Sequence, residues 1–324
     1  MKLQKFFHQN EKISIAYITS SPFSGSTLLA FILNSHPEIS TVSEMTGFES
    51  KKGASFRCSC GKFLKECPFF LYVAKNFHKN NLRFDFKDFD TDYVFFNKYR
   101  LNRLLFVSLN NDFIENLRDK LLLKIFSKFF KRKDLANYLF ISSALSYFNA
   151  KVFVDGSKSP YRLRHLKRIP NLDLKPIYII RDFHGVVLSN IERLREENKE
   201  ESTEDATKKW IKDQLEILRI LQGFSYIKVY YEDICDNPNK SLAKIYKFIN
   251  LKPCKIPKNL KSVEHHILGN DMRDSSSITI TKSERWKSEL QGRDLNKVNA
   301  LALEFVKKNK NHPLSEIIKH YLNK

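Results

Sequence analysis

The chain has 324 residues, enough for one large α/β domain or two smaller ones, and 42% of them are hydrophobic, as in globular proteins. Its formal net charge of +20 indicates an acidic partner, such as a nucleotide, a nucleic acid, an anionic glycan or an anionic membrane, although solvated lysines would account for the same charge. Five cysteines, an odd number in a long chain, argue against a disulfide framework.

The first residues of the sequence lack the apolar core of a signal peptide. Nowhere does an uninterrupted apolar stretch approach the length of a membrane-spanning helix. We therefore expect a cytoplasmic protein.

The first predicted elements are a strand, a loop and a helix. Ile13–Thr19 is β-branched and aromatic, which suits a buried strand of a parallel sheet. Small, turn-prone residues occupy positions 20–27, and a short apolar helix follows up to about Asn34. This order directs free backbone N–H groups and the positive end of a helix dipole at an anion. The sequence therefore predicts a phosphate site in this loop.

Three cysteines, Cys58, Cys60 and Cys67, lie close together after the first helix. A structural zinc site needs four ligands, and His78, the nearest candidate for a fourth, has an irregular spacing. A disulfide or simply buried thiols explain the three cysteines at least as well, so we expect no metal.

From about residue 80 to residue 135 the sequence predicts a helical, basic and aromatic-rich insertion within a single domain of residues 1–324. Apolar side chains alternate with lysines and arginines between Leu121 and Lys133. Such a segment could cover an active site, grip an acceptor or make peripheral contact with an anionic membrane. It could equally be an ordinary amphipathic helix packed on the core.

Strands and helices alternate regularly after residue 150. The predicted elements are strand 151–155, strand 177–180, helix 184–196, helix 203–222, strand 226–231, helix 238–250, and helices near 294–309 and 313–322. Strands separated by helices of this length indicate βαβ units. The predicted fold class is therefore α/β, with a P-loop-like parallel sheet flanked by helices.

The first loop does not match the nucleoside-triphosphate P-loop. That motif requires two spaced glycines and a lysine, and no lysine lies beside Ser26 and Thr27. A P-loop-like kinase is therefore a disfavoured alternative. The charge keeps open a non-catalytic binder of nucleic acid or anionic glycan, but the basic residues are dispersed and no nucleic-acid-binding signature appears.

Two motifs are specific enough to indicate a family. Residues 22–29, PFSGSTLL, followed by His36-Pro37, resemble the 5′-phosphosulfate loop of the sulfotransferases that use 3′-phosphoadenosine 5′-phosphosulfate (PAPS). Arg181 at a strand end, with Ser189 eight residues later, resembles the 3′-phosphate signature of that family. The likeness is greatest to bacterial members, which are related to carbohydrate and tyrosylprotein sulfotransferases.

Weaker similarities extend the resemblance along the chain. Residues 154–160, Tyr231-Glu232-Asp233 and residues 265–273 are similar to later motifs of the family, and the cysteine cluster is similar to that of bacterial members. The resemblance implies a P-loop-like fold and a PAPS-binding site. The implied cofactor-binding residues are Ser24, Gly25, Ser26, Thr27, Arg181, Ser189 and Arg273.

The resemblance also implies a reaction, in which a sulfuryl group passes in line from PAPS to a hydroxyl or amine of an acceptor. Glu44 lies where tyrosylprotein sulfotransferases carry their catalytic glutamate, and we assign it as the base. Lys158 is assigned as the cation at the bridging oxygen. The acceptor could be a small molecule, a glycan, a lipid or a peptide, and no nucleic acid partner is expected.

Phe23 departs from the family pattern, because many relatives carry Arg or Lys at this position to contact the 5′-phosphosulfate. Either another basic residue substitutes, with Lys158 as the best candidate, or PAPS binds more weakly.

Overall fold

The computed structural model describes residues 12–46, 57–94, 111–262, 265–266, 272 and 275–323. The strands of this part are β1 Ile13–Thr19, β2 Ile39–Thr41, β3 Val152–Lys158, β4 Leu172–Ile180 and β5 Ile227–Tyr230. They form one sheet in the order β2-β3-β1-β4-β5, in which every described pair is parallel. The predicted α/β class with a parallel sheet is confirmed.

Strand β1 forms the middle of the sheet, between β3 and β4. Successive side chains of a strand point to opposite faces, so Ile15 and Tyr17 enter one hydrophobic core while Ala16 and Ile18 enter another. All four side chains are fully buried. Burial on both faces explains why the strand is apolar at nearly every position.

Helices cover both faces of the sheet. Their bounds are α1 Ser26–Asn34, α2 Pro68–Lys79, α3 Asp112–Ile125, α4 Ser127–Phe148, α5 Pro160–Leu166, α6 Phe183–Glu196, α7 Thr203–Leu221, α8 Tyr231–Asp236, α9 Pro238–Phe248, α10 Trp286–Glu289, α11 Gly292–Lys308 and α12 Pro313–Leu322. Helices α1, α8 and α9 pack on the face of Ala16, whereas α2, α4, α6 and α7 pack on the face of Tyr17.

Three predicted strand boundaries were wrong. The strand predicted at 177–180 is only the second half of β4, which begins at Leu172. The last strand ends at Tyr230, and Tyr231 begins α8. Strand β3 continues past Asp155 to Lys158, because a bulge lets Lys158 pair with Thr19 after the register shifts. Strand β2 has only three residues and was not predicted.

The predicted insertion lies partly outside the described residues. Helix α3 and the beginning of α4 are helical as expected, whereas residues 81–94 form turns and irregular chain and were wrongly predicted as helical. Residues 95–110 are not described. The single-domain organisation and the bounds of the insertion therefore stay predictions. In the described part of the chain, every helix is too short or too polar to cross a bilayer.

The carboxyl ends of the parallel strands meet at one edge of the sheet, where open α/β sheets bind ligands. Strand β1 leads there into the predicted phosphate loop, and β2 leads toward Glu44. Strand β3 ends on Lys158, β4 leads into Arg181, and β5 leads into Tyr231. The fold thus brings five segments that are distant in sequence to one edge.

Candidate active site

The loop between β1 and α1 is shaped for close approach of an anion. Gly25 precedes α1 in the left-handed region, with φ of 84°, and α1 has no side-chain cap. The first amides of a helix have no acceptor within the helix, so those of Ser26 and Thr27 remain available to a ligand. A Cβ at Gly25 would lie 2.3 Å from Cδ2 of Tyr231. Only glycine fits both this backbone conformation and this contact.

The serines of the loop have different environments. Ser24 is fully buried, and its Oγ lies 2.9 Å from Oγ of Ser21, to which Nε2 of Gln214 donates a hydrogen bond of 3.0 Å. The Ser24 side chain therefore stabilises the loop. Ser26 and Thr27 are also buried, in the first turn of α1.

Arg181 joins the end of β4 to this loop. Its Nη1 donates to the carbonyl oxygen of Phe23 at 2.9 Å, and its guanidinium lies 5.0 Å from the centre of the Tyr231 ring. A Cβ at Gly185 would lie 3.2 Å from Nη2 of Arg181, so the glycine at the start of α6 makes room for the guanidinium. The structure thus brings Arg181 beside the predicted phosphate loop.

Tyr231 and Glu232 hold the loop and the β4 end in place. The hydroxyl of Tyr231 donates to the carbonyl of Thr281 and accepts from the amide of Ser283, both at 3.1 Å. Oε1 of Glu232 accepts from the amide of Asp182 at 3.0 Å. Burial raises the pKa of Glu232. These contacts give a physical role to the Tyr231-Glu232 motif, which the sequence identified only by resemblance.

Glu44 and Lys158, 114 residues apart, form an ion pair. Nζ of Lys158 lies 2.5 Å from Oε1 of Glu44, and the two side chains are 25% and 20% exposed. Partial exposure leaves both charged groups accessible to a ligand. The structure therefore brings together the two residues that were predicted as base and cation.

The backbones on either side of this ion pair are locked to each other. The amide of Gly156 donates to the carbonyl of Ser43 at 2.7 Å, and the amide of Met45 donates to Oγ of Ser157 at 2.9 Å. Both Ser43 and Lys158 have φ of 66°. Such conformations cost about 1–3 kcal/mol at a non-glycine residue and are typical of functional sites.

A cavity of about 250 Å³ is lined by residues that are close in sequence to the ion pair, although Glu44 and Lys158 themselves do not line it. Thr46, two residues after Glu44, and Ser159, next to Lys158, line it together with Tyr93, Tyr161 and other side chains. No sequence pattern predicts this cavity, because its walls come from three separate segments.

Ser189 and Arg273 are the other two residues that were predicted to bind the cofactor. Ser189 is half-buried in the second turn of α6, which begins two residues after Arg181. Arg273 lies outside the described residues. A crevice beside Phe23 is lined also by Asn190 and Lys209, and Lys209 is a basic side chain that sequence reasoning missed.

Phe23 itself has φ of 61°, and its side chain is 36% exposed. Arg181 binds its backbone carbonyl, a contact that any side chain at this position would permit. This contact explains how the loop keeps its place without a basic residue at position 23.

The three clustered cysteines meet a fourth candidate metal ligand, His265, and all four ligand atoms lie within 4.8 Å of one another. His265 follows Cys67 by 198 residues, so local spacing carried no signal for it. His78 is exposed on α2, and the prediction that it is the nearest fourth ligand was wrong.

Comparison with known proteins identifies the family. The sequence profile of the family described as "Sulfotransferase domain" matches residues 16–308. Comparison with curated proteins finds no significant match. This chain therefore belongs to the sulfotransferase family, and the predicted PAPS-dependent sulfotransferase is confirmed.

Solved sulfotransferase structures are similar to this chain, and the first of them shows the same fold. The sulfotransferase domain from the Synechococcus PCC 7002 olefin synthase is 18% identical, with 90% of this chain and 96% of that chain covered and a TM-score of 0.50. Mouse sulfotransferase SULT7A1 complexed with PAP is 12% identical, with 99% and 93% covered and a TM-score of 0.45.

Proposed function

We propose that this enzyme transfers the sulfuryl group of PAPS to a hydroxyl or amine at the Lys158–Glu44 pair. The observation that supports this proposal is the 2.5 Å contact between Nζ of Lys158 and Oε1 of Glu44. This contact lies at the edge of the sheet where β1 leads into the phosphate loop. Glu44 accepts the proton of the acceptor, and Lys158 neutralises the charge that develops on the bridging oxygen as the phosphate leaves. Lys158 exchanges Glu44 for that oxygen when PAPS binds.

In this proposal the 5′-phosphate and the 3′-phosphate of PAPS bind to different groups of the protein. The backbone amides at Ser24, Gly25, Ser26 and Thr27 hold the 5′-phosphate, with the Ser26 and Thr27 hydroxyls as further donors. Arg181 and Ser189 hold the 3′-phosphate, and Arg273 contacts the nucleotide. Nη1 of Arg181 donates to Phe23 and Nη2 donates to the carbonyl oxygen of Ser283 at 3.4 Å, and since the guanidinium has five N–H donors, its remaining donors can bind the ligand.

The transfer step uses no metal ion in this proposal, because Lys158 supplies the positive charge that Mg²⁺ supplies in kinases. Transfer rates measured with and without added Mg²⁺ should be equal. A strict requirement for Mg²⁺ would contradict the role of Lys158.

The acceptor places a small functional group in the cavity lined by Thr46 and Ser159. A volume of about 250 Å³ is slightly below the usual range for drug-sized ligands, which is roughly 300–1,000 Å³. This size supports a small molecule, or the end of a glycan, lipid or peptide whose remainder stays outside. Filling the cavity with Thr46→Phe should raise the KM for the acceptor and leave PAP affinity unchanged.

Helix α3 supports the predicted peripheral membrane contact. Phe113, Leu117, Leu121 and Ile125 repeat every four residues on α3, and each is more than half exposed. Exposed lysines flank this apolar stripe, as in helices that lie on anionic membranes. Leu117→Ser with Leu121→Ser should reduce co-sedimentation with phosphatidylserine vesicles, whereas Leu303→Ser, an exposed leucine on α11, should not.

The proposed function is tested with pools of acceptors and two labelled donors. The enzyme should transfer ³⁵S from PAPS to at least one acceptor and should not transfer ³²P from γ-labelled ATP. Phosphoryl transfer without sulfuryl transfer would contradict the proposal. The acceptor found in this way then serves in the experiments below.

A further inference from the structure

Three cysteines and one histidine that the proposed transfer reaction does not use form a cluster that is mostly buried. Sγ of Cys67 lies 3.1 Å from Nδ1 of His265 and 3.7 Å from Sγ of Cys60. Sγ of Cys58 lies 3.3 Å from the same imidazole nitrogen. Four ligand atoms from two distant parts of the chain therefore surround one point.

Three of the six separations between the ligand atoms fit a tetrahedral zinc site, and all six are at most 4.8 Å. With Zn–S bonds of about 2.3 Å and Zn–N bonds of about 2.0 Å, a tetrahedron separates its sulfurs by roughly 3.8 Å and a sulfur from a nitrogen by roughly 3.5 Å. The observed separation of 3.7 Å between sulfurs and those of 3.1 and 3.3 Å to nitrogen are within a few tenths of an ångström of these values.

The local backbone presents the three sulfurs on one side. The amide of Gly61 donates to the carbonyl of Cys58 at 2.8 Å, which closes a tight turn that contains Cys60. The amide of Cys58 in turn donates to the carbonyl of Lys62. Gly61 supports this turn with φ of 86°. Cys67 precedes the first turn of α2, where the helix dipole stabilises a thiolate.

The segment of His265 is fixed to the cysteine turn by its own hydrogen bonds. The amide of Ser59 donates to the carbonyl of His266, and the amide of His266 donates to Oγ of Ser59, both at 2.9 Å. The ring of Phe69 packs 5.3 Å from that of His265. The imidazole is thus held against the sulfurs independently of any ion.

We propose that Cys58, Cys60, Cys67 and His265 bind one structural Zn²⁺ ion. Three thiolates and one imidazole are a usual donor set for structural zinc, and four protein ligands leave no open position for a substrate. A disulfide would require two sulfurs at about 2.05 Å. It would also use only two of the four groups and would not explain why the third thiol and the imidazole lie beside them. The ion would link the segment that follows β2 to the segment around His265, which comes 198 residues after Cys67 in the chain.

Metal analysis of the full chain, purified without a metal-binding tag and passed over a chelating resin, tests the site. Wild-type protein should retain about one zinc ion per chain. Cys67→Ser and His265→Ala should lower the zinc content to the background level, whereas His265→Cys should restore it through four thiolates. The matched controls are Cys254→Ser, for a cysteine outside the cluster, and His78→Ala, for the exposed histidine.

The wild-type protein provides a second test that does not depend on the folding of variants. Titration with an organomercurial should release zinc in proportion to the modification of three thiols per chain. Wild-type protein without zinc, or zinc that persists in Cys67→Ser, would overturn the proposal, the latter as adventitious binding. A disulfide within the cluster in freshly purified protein, seen as a loss of two hydrogens in mass, would overturn it as well.

Discussion

The Lys158–Glu44 pair and the cysteine–histidine cluster are built in opposite ways. The pair is open: its side chains are 25% and 20% exposed, its flanking backbone is strained, and residues close to it in sequence line a cavity. The cluster is more closed: Cys58, Cys67 and His265 are at most 5% exposed, Cys60 is half-buried, and the four ligand atoms lie within 4.8 Å of one another. Reaction requires groups that can exchange partners, whereas a structural site requires groups that cannot.

This difference predicts different consequences of substitution in the two regions. Changes at the open pair should alter transfer more than stability, because its charges are partly solvated and surface-like pairs contribute little to folding. Changes at the closed cluster should alter stability and metal content more than transfer. The following predictions are ordered from the largest expected effect to the smallest.

Replacing Lys158 by Met should have the largest effect. Loss of one donor that stabilises developing charge costs about 10²–10³ in rate. Sulfuryl transfer to the identified acceptor, measured in single turnovers, checks this value. The control is Lys151→Met, which removes an exposed lysine paired with Glu38 at the start of β3. Equal rates for Lys158→Met and wild type would remove Lys158 from the mechanism.

Arg181→Ala should weaken PAP binding. A hydrogen bond to a charged group contributes about 1.5–3 kcal/mol, so the Kd for PAP should rise roughly 10- to 150-fold. Calorimetry measures this change. Arg193→Ala, an exposed arginine on α6, should leave the Kd unchanged. Equal affinities of the Arg181 variant and wild type would contradict the proposed 3′-phosphate site.

Gly25 in the phosphate loop and Gly61 in the cysteine turn can be compared, since both have positive φ. A Cβ at Gly25 meets the Tyr231 ring, whereas a Cβ at Gly61 meets nothing within 4 Å. Gly61→Ala should cost about 1 kcal/mol of unfolding free energy, and Gly25→Ala about 1–3 kcal/mol more, because the ring must move. Urea unfolding measures both. Equal losses would mean that Tyr231 does not constrain the loop.

Phe23→Lys should have the smallest effect. An exposed charge near a phosphate contributes about 0.2–1 kcal/mol, so PAP affinity should rise at most a few-fold and the gain should disappear at high salt. Phe63→Lys is the matched control, because Phe63 is 38% exposed in the cysteine turn and Phe23 is 36% exposed. A large gain from Phe23→Lys would mean that the loop lacks a needed cation.

The two regions also differ in what the sequence could reveal. Residues 13–34 form a strand, a loop and a helix from consecutive residues, so their pattern predicted both fold class and phosphate loop. Glu44 and Lys158 were found by resemblance, and only the fold shows that they touch. Local spacing could not identify His265 as the fourth ligand of the cluster, because the three cysteines lie about 200 residues earlier in the chain. Tyr231 was assigned to a strand because an aromatic residue there fits a strand as well as a helix start.

The central claim, that Glu44 acts on the acceptor and not on the cofactor, is tested most directly with Glu44→Gln. The amide keeps the shape of the carboxylate but cannot accept the proton, so transfer should fall about 10²- to 10⁴-fold. The Kd for PAP, measured by calorimetry on the same preparation, should equal that of wild type. A loss of PAP affinity as large as that in Arg181→Ala, or transfer at the wild-type rate, would contradict the assigned role.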